Sequence, residues 1–201
     1  MIKKISRRRC YQLYPKFPST FNISDQFTYP DLYKSYILTT ASKSAKGHAK
    51  NIAFALQYLV ESMNIPSLIF MGDTGAAWLS QDNDYAPVKE AMDFLEGEKV
   101  GKKFNGGLKV TAEDLTTFIP HLFWLVRCNA ALPIFYLMNE DQTVLANFCQ
   151  YGNIHISPLN KRADKLFHKH LPQSGLTIFT DLYCYDSFGK AGKLNGRRIV
   201  V

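Results

Sequence analysis

Apolar residues recur along the chain at two different spacings, and these predict helices in the first half and strands later. Spacings of three and four predict a helix at 48–63, and a short apolar run at 67–71 predicts a buried strand. A second helix is predicted at 84–96 and a third from Thr111 to Asn129, where a capping threonine precedes acidic residues. The glycine-rich, basic segment between these two helices, 97–110, predicts a loop or a hairpin.

Beyond residue 133 the apolar period changes to two. Three alternating stretches separated by turn residues predict an antiparallel meander, with strands at 133–138, 143–149 and 153–157. A short helix at about 160–170, a strand at 177–185 and a final strand at 197–201 are expected to follow. The sequence therefore predicts an α+β fold in which helices pack on a mainly antiparallel sheet.

The 201 residues suit one domain with an appended arm. Residues 1–38 are rich in proline, tyrosine and basic residues, and Pro15, Pro18 and Pro30 rule out long regular elements there. We expect this segment to be an irregular basic arm whose aromatic side chains pack on the body. Residues 39–201 are then expected to form a single α+β domain.

The net charge of +7 is distributed unevenly along the chain. Residues 1–50 carry a net charge of +8, residues 51–159 carry −6, and residues 160–201 carry +5. This pattern predicts that the basic ends contact a polyanion. The alternative is that the basic ends aid solubility or dock on the acidic middle of the chain itself.

The basic residues of both ends fall into four clusters, and one of them occupies a single face of the helix at 160–170. Lysine and arginine side chains bind nucleic acid by neutralising phosphates and releasing counterions, with no need for a cofactor. The predicted DNA- or RNA-binding residues are Arg7, Arg8, Arg9, Lys43, Lys46, Lys50, Lys161, Arg162, Lys165, Lys169, Arg197 and Arg198. The alternative for these clusters is a solvated helix face and a loose arm.

The cysteines are widely spaced, which argues against both a disulfide framework and a metal site. Cys10, Cys128, Cys149 and Cys184 form no C-x-x-C pair, so we expect no metal and no cofactor. Neither a signal peptide nor an apolar run of about 18 residues is evident, so no membrane span is expected. Reduced cysteines and a cytoplasmic location are the simplest expectation.

Two short motifs resemble parts of known enzymes. The triplet Asp73-Thr74-Gly75 is similar to that of the aspartic proteases, but it occurs once and is expected to be a turn after a buried strand. Arg162 and His168 have the spacing of the R-x(4–6)-H element of HEPN-type ribonucleases. Those domains are all-helical, whereas strands are predicted here, so this fragment does not place the chain in that family.

Three functions follow from these observations, in this order. The first is a nucleic-acid-associated protein that uses the basic clusters. The second is a protein-binding module, such as an inhibitor, immunity factor or accessory subunit, with an interface in the acidic segment 73–114 or an aromatic patch. The third is a small metal-independent nuclease, for which the candidate catalytic residues are His155, Arg162 and His168.

Overall fold

The computed structural model of the chain describes residues 2–19, 29–80, 83–129, 132, 134–181, 184–186 and 188. The helices in these residues are Arg7–Leu13 (α1), Ala45–Ser62 (α2), Ala86–Gly97 (α3), Leu115–Cys128 (α4) and Lys161–His170 (α5). The strands are Lys3–Ile5 (β1), Tyr36–Thr39 (β2), Ser67–Gly72 (β3), Gly107–Thr111 (β4), Phe135–Asn139 (β5), Val144–Phe148 (β6), Ile154–Pro158 (β7) and Thr177–Ile178 (β8). The strand predicted at 197–201 lies outside the described residues.

All eight described strands form one sheet in the order β1-β4-β3-β5-β6-β7-β2-β8. Every neighbouring pair is antiparallel, so the predicted α+β fold with a mainly antiparallel sheet is confirmed. The predicted meander corresponds to β5, β6 and β7, which lie side by side in chain order. None of the described helices combines the length and the apolarity that crossing a bilayer requires.

The sheet has two unlike faces, because side chains alternate along each strand. Leu68 and Phe70 of β3 point into the main core, which the larger helices α2, α3, α4 and α5 cover. Ile69 and Met71 point the other way, into a smaller core beneath α1. We call the first side the helical face and the second side the α1 face.

The helices of the helical face form where the apolar spacing predicts them. The side chain of Ser44 accepts a hydrogen bond from the Gly47 amide and so caps the first turn of α2. Ile52, Leu56 and Leu59 of α2 are at most 1% exposed. Burying each of these side chains contributes about 1.5–3 kcal/mol to folding.

The N-terminal segment is more regular than its prolines suggest, since it contains β1 and α1. Ser6 caps α1 by accepting a hydrogen bond from the Arg9 amide, and Cys10 is fully buried against the sheet. The helix ends before Pro15, which cannot continue it. Neither element was predicted, because three and seven residues are too few to establish an apolar period. The division into an arm and a domain at residue 38 stays a prediction.

Strand β4 lies within the segment predicted to be a loop or hairpin. Its glycines reflect close packing, because a Cβ atom on Gly107 would lie 2.9 Å from the Cys10 sulfur. A Cβ on Gly106 would lie 2.1 Å from the Ile5 carbonyl oxygen. The glycine-rich composition thus marks the place where β1 and α1 meet the sheet. At the other end, among the described residues of the strand predicted at 177–185, Thr177–Ile178 form β8 and the Phe179 amide donates to the Ile37 carbonyl oxygen.

One buried and one half-buried histidine on the helical face, His48 and His121, predict that acid destabilises the fold. Burial lowers the pKa of His48 and of His121 below the ordinary value of 6.5. The unfolded chain therefore binds protons more readily than the folded chain. We expect the free energy of unfolding, measured by urea denaturation, to fall between about pH 7 and about pH 5. The double variant His48→Gln/His121→Gln should show a smaller fall, and an equal fall in both proteins would contradict this assignment.

Candidate functional site

The predicted basic clusters do not share one surface. The cluster of Arg7, Arg8 and Arg9 on α1 lies on the α1 face towards the β1 edge of the sheet, and Arg8 and Arg9 are exposed there. Helix α5 lies on the helical face, where it packs on β7 towards the opposite edge. Lys43, Lys46 and Lys50 are exposed around the start of α2, which belongs to the helical face. Arg197 and Arg198 lie outside the described residues.

Arg7 is held by internal contacts and has a structural role. Its guanidinium donates hydrogen bonds to the carbonyl oxygens of Gly72 at 2.9 Å, Asp73 at 3.0 Å and Asn105 at 3.3 Å. It also donates to the Tyr11 hydroxyl at 2.8 Å. These bonds tie α1 to the end of β3 and to the loop before β4, so Arg7 has little remaining capacity to bind phosphate.

Helix α5 presents its basic side chains to solvent and turns its one carboxylate inward. Asp164 is 6% exposed and accepts a hydrogen bond of 2.7 Å from the Tyr36 hydroxyl. The Tyr36 ring stacks on Phe167, which is fully buried. This anchor leaves a row of exposed basic residues on the outer side of the helix: Lys161, Arg162, Lys165, His168 and Lys169.

A groove of about 930 Å³ runs along α5, between this helix, the end of α2 and the β5–β6 turn. Arg162, Lys165 and Lys169 line one wall, and Asp141 is the carboxylate among its described lining residues. The other lining residues are mostly amides, hydroxyls and apolar groups: Met63, Asn64, Ile65, Asn139, Thr143, Asn160, Ala163 and Leu166. The groove is therefore predominantly cationic along the helix.

The candidate catalytic residues fall on two sides of the sheet. Ile154 and Ile156 of β7 point into the main core, so His155 between them faces the α1 face. Arg162 and His168 belong to α5 on the helical face, where the His168 Nε2 atom lies 2.9 Å from the Tyr36 hydroxyl. The structure thus brings Arg162 and His168 onto one helix but leaves His155 apart from them.

His155 belongs instead to a cluster with two cysteines. One nitrogen of His155 and the sulfur atoms of Cys149 and Cys184 all lie within 4.8 Å of one another. The two sulfurs are 3.4 Å apart, and both cysteines are free thiols. Local sequence spacing does not reveal this cluster, because Cys184 follows His155 by 29 residues. The period of two could have placed Cys149 and His155 on the same face of the β6–β7 hairpin.

Buried polar contacts hold the segment that carries Cys184. The side-chain amide of Asn153 donates to the Cys184 sulfur and to the Tyr185 carbonyl oxygen, each at 3.0 Å. Asp186 forms an ion pair of 2.8 Å with Arg127 of α4, with side chains only 13% and 6% exposed. Arg127 in turn donates to the Gln150 carbonyl oxygen. The segment is therefore fastened to both α4 and the β6–β7 turn.

The contact between the two sulfurs makes their acidities unequal. Hydrogen bonding from Cys149 lowers the pKa of Cys184, and hydrogen bonds from His155 and Asn153 act in the same direction. Hydrogen bonding to Cys184 and burial raise the pKa of Cys149. The first proton to leave the pair therefore comes from Cys184, and the resulting thiolate is the better nucleophile and metal ligand.

A cavity of about 480 Å³ adjoins His155 on the α1 face. The hydroxyls of Ser35 and Ser157 meet in its wall at 2.9 Å, and Asn147 lies directly opposite His155 in the β6–β7 register. The remaining lining residues are largely aromatic or aliphatic: Tyr29, Leu32, Tyr36, Ile37, Ile178 and Phe179. The cavity offers room for a small polar ligand beside the cysteine–histidine cluster.

The chain is thus an antiparallel α+β protein with a cationic groove on one face and a cysteine–histidine cluster on the other. Comparisons with protein-family models, with curated proteins and with solved structures found no match for it.

Proposed function

We propose that this protein binds the phosphate backbone of DNA or RNA in the groove along α5. The observation that carries the proposal is the row formed by Arg162, Lys165 and Lys169 on one wall of that groove. Nucleic-acid binding depends chiefly on such cations, because each phosphate they neutralise releases condensed counterions.

The three basic side chains are available to a ligand. Within the part of the chain that the structure describes, no ion pair engages Arg162, Lys165 or Lys169. Lys109, by contrast, is paired with Glu140, as Arg127 is with Asp186. The three α5 cations therefore share the described groove with a single lining carboxylate, that of Asp141.

The spacing of the row suits a polyphosphate chain. Arg162 and Lys169 are seven residues apart on α5, which corresponds to about 10 Å along the helix axis. One strand of B-form DNA places a phosphate about every 3.4 Å along its axis, so the row spans about three phosphates. The first turn of α5 also lines the groove through Asn160, Arg162 and Ala163.

We expect the triple variant Arg162→Ala/Lys165→Ala/Lys169→Ala to lose nucleic-acid affinity. Binding should weaken by about 10- to 100-fold, and the slope of log K against log salt should become shallower by about 2 to 3. Fluorescence anisotropy with labelled single-stranded DNA, single-stranded RNA and duplex DNA, over a range of salt, measures both quantities and identifies the preferred form.

The matched control is Lys89→Ala/Lys102→Ala/Lys103→Ala, which removes the same charge from exposed positions away from α5. This variant should keep the affinity of the unchanged protein to within about threefold. If both triple variants weaken binding equally, net charge rather than the groove is responsible. Absence of binding by the unchanged protein at low salt would end the proposal.

The other two functions stay predictions. A protein-binding module would use the acidic segment 73–114, and the nuclease alternative now depends on Arg162 and His168 alone, since His155 lies on the other face of the sheet.

A further inference from the structure

The geometry points to a Zn²⁺ site formed by Cys149, His155 and Cys184. Two cysteines and one histidine are a ligand set that zinc prefers, as in sites that keep one coordination position open. The site lies on the α1 face of the sheet and uses none of the α5 residues. The zinc site and the nucleic-acid groove can therefore be tested independently.

The distances fit a tetrahedral ion with small adjustments. Zinc binds sulfur at about 2.3 Å, so two thiolates on one tetrahedral ion lie about 3.8 Å apart. The Cys149 and Cys184 sulfurs are 3.4 Å apart, and the His155 nitrogen lies within 4.8 Å of both. Movements of a few tenths of an ångström to about one ångström would bring all three atoms to bonding distance.

The polypeptide holds two of the ligands on one rigid hairpin. Cys149 follows β6 directly, and its amide donates to the Asn153 carbonyl oxygen at 3.1 Å across the turn. His155 lies on β7, whose pairing with β6 fixes its side chain on the same face. Such a scaffold reduces the ordering cost that metal binding would otherwise carry.

The third ligand is positioned by groups that surround it. Asn153 is fully buried and donates a hydrogen bond to the Cys184 sulfur, as outer-shell groups do for zinc-bound thiolates. The Arg127–Asp186 ion pair fastens the chain two residues further on. Two thiolates would neutralise the charge of Zn²⁺, and their protons would pass to solvent on binding.

We place the fourth coordination position towards the cavity on the α1 face, because His155 is the ligand that lines it. The Nε2 atom of this histidine is buried and has no hydrogen-bond partner outside the cluster among the described residues. A water molecule or a small polar ligand in the cavity of about 480 Å³ can complete the tetrahedron.

The test is metal titration of the complete chain, stripped with a chelator and kept reduced with a phosphine. Co²⁺ serves as the spectroscopic probe, and Zn²⁺ is then added as competitor. We expect one Co²⁺ per chain, with the visible bands of a tetrahedral ion and a near-ultraviolet thiolate charge-transfer band. Stoichiometric Zn²⁺ should abolish both signals. This measurement on the unchanged protein does not depend on any variant folding.

The variants Cys149→Ser, His155→Ala and Cys184→Ser should each lower Zn²⁺ affinity by more than about 100-fold. The matched controls Cys10→Ala and Cys128→Ala remove the other two cysteines and should leave the cobalt spectrum unchanged. Absence of the spectrum in the reduced, unchanged protein overturns the proposal. A cobalt spectrum that persists in the Cys149→Ser variant also overturns it. A protein that forms a Cys149–Cys184 disulfide and binds no metal after reduction overturns it as well.

Discussion

Gly152→Ala is expected to destabilise the protein by about 3–5 kcal/mol, which corresponds to a fall in Tm of about 10 °C. Two costs combine at this position in the β6–β7 turn. Its φ of +81° is one that residues with a side chain rarely adopt. An added Cβ would also lie 2.1 Å from the Cε2 atom of Phe123 in α4, which is fully buried and cannot move aside easily. Urea denaturation and thermal melting measure the loss.

Gly175→Ala is the matched control for this substitution. Gly175 has almost the same φ, +80°, but a Cβ there would meet no atom within 4 Å. The Gly175→Ala variant should therefore lose only the stability that depends on backbone conformation, about 1–2 kcal/mol of the free energy of unfolding. Equal losses in the two variants would show that the contact between the turn and α4 contributes nothing.

Asp186→Ala is expected to cost about 3–5 kcal/mol, because it leaves the Arg127 guanidinium buried without its carboxylate. The two groups are 2.8 Å apart and their side chains are almost fully enclosed. Arg127 also lies over the Phe188 ring at 5.0 Å, so water cannot easily replace the lost partner. Chemical denaturation gives the change in the free energy of unfolding.

The double variant Arg127→Met/Asp186→Leu separates charge from packing. Replacing a buried ion pair by apolar groups of similar volume is often nearly neutral, since neither charge then has to be removed from water. We expect the double variant to be more stable than Asp186→Ala alone. If it is as unstable as the single variant, loss of packing rather than an unpaired charge explains the effect.

The sequence predicted the elements that carry a sustained period. Helices α2 and α4 repeat apolar residues over more than three turns and α5 over nearly three, and β5, β6 and β7 alternate between clear turns. Strands β2 and β4 were missed because their neighbours are rich in proline or glycine. At β4 the glycines are required by the close approach of Ile5 and Cys10, a tertiary contact that local patterns do not reveal.

The same distinction applies to the candidate sites. Lys165 and Lys169 belong to one helix, and their spacing alone predicted that they share a basic face, with Arg162 flanking it. Whether α1 and α5 lie on one face depends on how the sheet is assembled. In the structure the two helices lie on opposite faces of the sheet. The cluster of Cys149, His155 and Cys184 likewise requires a distant segment to fold back over a hairpin.

The order of the strands bears on how the protein is made. β1 pairs with β4, and β2 pairs with β7, so Lys3 and Tyr36 find partners 106 and 120 residues further along the chain. On the ribosome, β1 and β2 have no sheet partners until those later strands emerge. Such long-range pairing slows folding to milliseconds or seconds and exposes strand edges meanwhile. β2 in particular gains both of its neighbours, β7 and β8, only near the end of synthesis, and the sheet is complete only after β8 has emerged.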